Sequence, residues 1–151
     1  MSPVRGPAWS GRPLRLPAPP DPEHAAEHAQ RVVVAAQSIS RVVLDFSPAS
    51  LRDVDAILDD FAESGSNAVA ETVFAFGCYI GEVLVRHSGY HWVATPAGLS
   101  ATLGPLTVYR ESTGARVNPI SKAFKRVDYG PVDDLMYFYD IFTRNGVSGP
   151  E

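Results

Sequence analysis

A chain of 151 residues has room for one domain of ordinary size, since single hydrophobic cores usually occupy about 100 to 150 residues. With 45% hydrophobic and 20% charged residues it is too apolar for wholesale disorder, and its net charge of -4 speaks against nucleic acid or an anionic membrane as partner unless a local basic patch overrides it. The single cysteine, Cys78, excludes an intramolecular disulfide and a multi-cysteine metal site and suits a reducing cytoplasm.

Residues 1–20 hold arginines but lack the apolar stretch of a secretory signal, so export is not expected. Seven of the 13 prolines fall between Pro3 and Pro22, interleaved with Arg5, Arg12 and Arg15. Proline-rich composition of this kind does not nucleate a packed element, and it predicts a disordered leader over 1–20. The packed domain is expected over 21–145, with a flexible C-terminus at 146–151.

A first helix opens with Asp21 as N-cap and Pro22 at the first helical position, and its apolar spacing from Ala25 to Ala36 carries it to about Ser40. Arg41 to Phe46 (RVVLDF) is a short run with β-branched residues and reads as a strand, with continuation of the first helix as the alternative. Ser47 and Pro48 begin a second helix, predicted to Ser64. Leu51, Val54, Ile57, Leu58 and Phe61 form its apolar stripe, and Asp53, Asp55, Asp59, Asp60 and Glu63 make the rest acidic. Asn67 to about His87 reads as a central core helix, because between Ala68 and Val85 its only charges are Glu71 and Glu82. Those glutamates, two glycines and the lack of a second span make a buried helix the expectation rather than a membrane crossing.

Tyr90 to Thr95 and Leu106 to Glu111 read as strands, followed by a turn at Ser112-Thr113-Gly114 and a short return through Arg116 and Val117. Asn118 and Pro119 cap a helix to about Asp128, and a last helix begins at Pro131 and ends at Asn145-Gly146. The predicted class is therefore α+β: a small antiparallel sheet packed with about five helices around one central buried helix.

Three groupings carry chemical potential. His24-Ala25-Ala26-Glu27-His28 matches H-x-x-E-H, which in zinc proteases sets two histidines one turn apart. A catalytic zinc also needs a third ligand and a walled cleft, so the expectation here is a solvated helix start and no metal or other cofactor. In the central helix, Glu71, Cys78 and Glu82 share one stripe with Arg86 four residues beyond Glu82. The two carboxylates are roughly 16 Å apart along the axis and cannot serve one bond together. Cys78 lies mid-helix without an adjacent base and reads as a small buried hydrophobe. Gly77 and Gly81 have the G-x-x-x-G spacing, which signals close passage of another element. Finally, Asn118 to Arg126 (NPISKAFKR) holds both lysines of the chain, and Lys122, Lys125 and Arg126 form a basic face while Ile120, Phe124 and Val127 turn inward.

Taken together, Gly77-Cys78-Tyr79-Ile80-Gly81-Glu82-Val83, Trp92 on a strand, Val117-Asn118-Pro119 with Lys122, Lys125 and Arg126, and Asp134 to Tyr139 (DLMYFY) resemble a group of small uncharacterised bacterial proteins. The resemblance covers about Leu44 to Phe142. It implies the same α+β domain and attaches no activity to it.

No nucleophile-base pair, phosphate loop or metal-ligand set stands out, so the leading expectation is a non-enzymatic interaction or accessory protein. Its partner would be another protein, a toxin or a regulated factor, met by the acidic helix and by Lys122, Lys125 and Arg126. The alternative is a small-molecule binder or modest enzyme with a cleft floored by Tyr79, Glu82 and Trp92 and edged by Lys122 or Arg126.

Overall fold

The computed structural model describes residues 5–98 and 104–144, so the expectations for 1–4, for the extreme C-terminus 146–151 and for the Asn145-Gly146 stop lie outside the described residues. The fold is α+β. Among the described residues five α-helices, α1 (Ala25–Ala35), α2 (Leu51–Asp60), α3 (Ala70–Ser88), α4 (Pro119–Tyr129) and α5 (Leu135–Thr143), accompany strands β1 (His91–Ala94), β2 (Leu106–Arg110) and β3 (Ala115–Val117). The strands form one antiparallel sheet in the order β1-β2-β3, with Trp92 opposite Val108 and Val108 opposite Val117.

The centre is α3. Every residue from Phe76 to Leu84 is buried, so the helix is covered all round, as its near-absence of charge predicts. Among the described residues no helix is long and apolar enough to cross a membrane. Most of the packing on α3 comes from α4 and α1. Gly77 and Gly81 make the α4 side possible. A Cβ at Gly77 would run into the Ile120 backbone, and one at Gly81 into the Trp92 indole. The paired glycines are thus where a second helix and a strand residue come closest, which offsets the helix propensity that glycine sacrifices.

Caps set the boundaries much as the residue types suggest. Asp21 accepts from the His24 amide, Ser47 from Ser50 and Asn118 from Ser121, each just ahead of a proline that fits the first turn. α5 starts later than expected: Gly130–Asp133 form a separate 3-10 turn, and Asp134 is the residue that caps it. α2 likewise stops at Asp60 instead of Ser64.

The strand expected at Arg41 to Phe46 does not form. α1 ends in a π-helical turn at Ala36–Ser40, closed by Arg41 in the left-handed region, and residues 42–46 then run outside the sheet. Leu44 and Phe46 are buried while Val43 is exposed, so the alternation that suggests a strand is real but serves packing rather than pairing. The Phe46 amide donates to the Tyr79 hydroxyl (2.8 Å), which satisfies the backbone where a neighbouring strand would have done so.

The leader also departs from its expectation. Residues 5–20 contain no helix or strand, yet they lie along the body. Gly6 donates to the Ala62 carbonyl (2.7 Å) and Asn67 to that of Pro7 (3.1 Å), while the Trp9 ring stacks on Phe124 at 5.0 Å. The backbone pass is tight enough that a Cβ at Gly65 would strike the main chain of Gly6 and Pro7, and Gly65 also has a φ of +81°. Between Arg12 and Ala18 every second residue is shielded, namely Arg12, Leu14, Leu16 and Ala18. A proline-rich stretch can pack against a body without forming helix or strand, and the leader does so here.

Candidate functional site

The residues singled out from the sequence do not converge. Tyr79 is fully buried, and its hydroxyl points toward the start of α2, where it accepts the Phe46 amide and shares a 2.6 Å hydrogen bond with Ser50 Oγ. Burial is the main cause that raises its pKa above the usual tyrosine value. Glu82 is also buried, but toward the sheet. Trp92 Nε1 donates to one of its carboxylate oxygens (2.8 Å) and Arg86 Nε to the other (3.3 Å). The Arg86 guanidinium in turn lies 3.6 Å from the centre of the Phe46 ring. Tyr79 and Glu82 therefore serve two separate structural contacts, and neither they nor Trp92 lines the cavity described below.

The two charged surfaces expected to meet a partner meet each other. Arg126, 5% exposed, reaches from α4 to α2 and donates to Asp55 (2.8 Å) and Asp59 (3.0 Å). Asp55 also accepts the Leu135 amide at the start of α5, so one carboxylate ties three helices. Its pKa is raised, because burial outweighs the pull of the Leu135 amide and the guanidinium. Lys122 pairs with Asp133 at 2.9 Å with its side chain mostly shielded. Of the three cations only Lys125 is exposed.

The two histidines of H-x-x-E-H address different partners. His24 Nδ1 pairs with Asp21 (2.6 Å), and the Asp21 carboxyl holds its pKa up. His28 is not solvated as expected but 1% exposed; its Nε2 donates to the Pro19 carbonyl (3.0 Å) and its ring meets Phe74 edge-on at 5.1 Å. It fastens the downstream end of the leader to α1. Cys78 is buried, and burial followed by the nearby Glu82 raises its pKa, in keeping with an unreactive core thiol.

What the structure does bring together is a half-open cavity of about 810 Å³ between the leader and the body. Leu14 and Leu16 form the leader wall, Phe74 of α3 and Ile120 and Phe124 of α4 form the floor, and Trp9 closes one end. Asn118 and Ser121 are among the few polar side chains on its lining. Arg12 lies at the rim, but its guanidinium is engaged. It donates twice to Glu71 (2.8 and 3.0 Å) and to the Asn67 carbonyl (2.6 Å), and the Arg15 amide donates to Glu71 as well. Chiefly through Arg12, this holds the Glu71 pKa down at about 2. Ile120 and Phe124 turn inward as their spacing predicts, whereas the only sequence signal of the leader wall is the period-two apolar pattern Leu14, Leu16 and Ala18.

No family model, curated protein or solved structure matches this chain.

Proposed function

We propose that this chain is a non-enzymatic binding protein whose ligand is an apolar small molecule, seated between the leader and the face made by α3 and α4. The supporting observation is the cavity. Protein interiors pack densely and keep few voids larger than a water molecule, whereas small-molecule sites typically measure about 300 to 1,000 Å³ and are mainly apolar. The 810 Å³ space has that size and lining, and its one rim cation is already neutralised by Glu71. A neutral or weakly polar molecule suits it better than an anion, which would have to displace a carboxylate.

A test is titration with the uncharged fluorophore N-phenyl-1-naphthylamine, whose emission rises in apolar surroundings. The full chain is expected to bind it saturably, and Leu16→Glu, which puts a charge on the leader wall while leaving every helix residue unchanged, is expected to lose binding while keeping a cooperative thermal transition. Absence of saturable binding by the unaltered chain would refute the cavity reading.

The second reading is a protein partner. Arg126 and Lys122 are paired internally while Lys125, Asp53, Asp60 and Glu63 are exposed, and what further favours this reading is exposed apolar surface at Val34, Ile39 and Val43 around the end of α1. Val34→Ser with Val43→Ser should then abolish capture of a partner and leave fluorophore binding intact.

A further inference from the structure

The leader is fastened unevenly, and the unevenness falls over the cavity. Upstream, contacts are dense. Besides the Gly6 and Arg12 bonds, the Trp9 amide donates to Ser66 Oγ (2.8 Å), whose hydroxyl donates on to Asp128 (2.7 Å), and Ser10 donates to the Asn67 side chain. Downstream, the Pro19 carbonyl is held by His28. Between these anchors the described hydrogen bonds reaching the body from 13–18 reduce to one, from the Arg15 amide to Glu71. Pro13 and Pro17 have no amide hydrogen to offer, and with Pro19 and Pro20 they stiffen the stretch as a rod. That stretch carries Leu14 and Leu16, the outer wall of the cavity.

We propose that residues 13–18 form a movable side of the half-open mouth of the cavity, the entrance through which ligand passes, and that Glu71 sets how often that side swings out. One carboxylate receives both Arg12, the last residue of the well-fastened part, and Arg15, the single tether of the wall. Weakening it frees the wall while the upstream anchors at Ala62, Ser66 and Asn67 and the downstream anchor at His28 persist. The ion pair is about one-third exposed at each partner, so it can exchange with water without unfolding the core. Entry and exit of ligand are thereby set by a surface contact and not by breathing of α3 and α4. This inference rests on the cavity reading.

The decisive experiment uses full-length Glu71→Gln, which keeps shape and removes charge. The control is Glu27→Gln, which loses an exposed ion pair with Arg31 and leaves the Arg12 and Arg15 contacts of Glu71 in place. Two readouts are taken: stopped-flow association and dissociation of N-phenyl-1-naphthylamine, and the rate of tryptic cleavage at Arg15-Leu16. Arg12-Pro13 resists trypsin, which leaves Arg15-Leu16 as the susceptible bond of the wall. The expected result is that Glu71→Gln raises both fluorophore rates and the cleavage rate several-fold, and that Glu27→Gln changes none of them. Faster cleavage with unchanged fluorophore kinetics would mean that the wall opens but is not the entrance, overturning this inference and leaving the cavity reading intact. Unchanged cleavage would show that Glu71 is not the latch. No fluorophore bound by any form would remove the cavity reading and the entrance with it.

Discussion

Among the described residues, two arginine–carboxylate contacts close over long sequence separations, and they differ in how much water they leave. Arg126 with Asp55 and Asp59 lies between α2, α4 and α5 with the guanidinium side chain 6% exposed. Arg12 with Glu71 lies at the edge of the leader, each side chain about one-third exposed. Removing one partner of a shielded pair strands a charge without water, so the first contact works as a fixed joint. An exposed pair trades its partner for solvent at small cost, so the second suits a part that moves. The same two residue types therefore do different work according to burial, which is why charge patterning in the sequence suggested recognition surfaces where the fold has a joint.

The contrast is broken most severely at the joint. Arg126→Met should lower stability by about 3 kcal/mol, read by denaturant unfolding, and should raise the Asp55 pKa further, read by carboxyl NMR titration. The sign follows from the partners. Burial already pushes Asp55 up, and the departing guanidinium is one of the groups that pull it down. Gly77→Ala tests the helix contact beside it. The added methyl meets the Ile120 backbone, and despite better helix propensity the variant should lose about 2 kcal/mol and melt lower. Tyr79→Phe leaves the buried Phe46 amide without an acceptor and should cost about 1 kcal/mol.

At the leader, pH replaces mutation. The folded pKa of Glu71 lies below its ordinary value of 4.5, at about 2, so its contribution is complete above 4.5 and is lost as pH falls through 2. The methyl resonances of Leu14 and Leu16, on the wall that Glu71 tethers through the Arg15 amide, should shift over that window, and Glu71→Gln should flatten the shift. The smallest effect belongs to Lys125→Glu. This exposed cation should alter stability by less than about 0.5 kcal/mol, unlike the same reversal at Arg126.

Much of the fold was legible because its signals are local. Ser47-Pro48 and Asn118-Pro119 mark helix starts through caps that act within three residues, and Gly77-x-x-x-Gly81 announces a close neighbour without naming it. Glu82 with Arg86 follows from one turn of helix. The site was less legible because its contacts are distant. Arg12 and Glu71 stand 59 residues apart, Arg126 and Asp55 71, and nothing within either segment specifies the partner. The leader illustrates how composition misleads. Its prolines imply a tail, while Leu14 and Leu16, one on each side of Arg15, carry the inward periodicity that the structure uses. In Arg41 to Phe46 the error is reversed: a true alternation was assigned to a sheet that never reaches it, because Arg41 turns the chain away first.

The central claim is that the leader and the α3–α4 face enclose an apolar binding site. Methyl-labelled NMR of the full chain during titration with N-phenyl-1-naphthylamine tests it most directly. The methyls of Leu14, Leu16 and Ile120 should shift together and saturate, with Ile39, exposed and outside the cavity lining, unmoved. Shifts at Ile39 and Val43 alone, or none at all, would contradict the account.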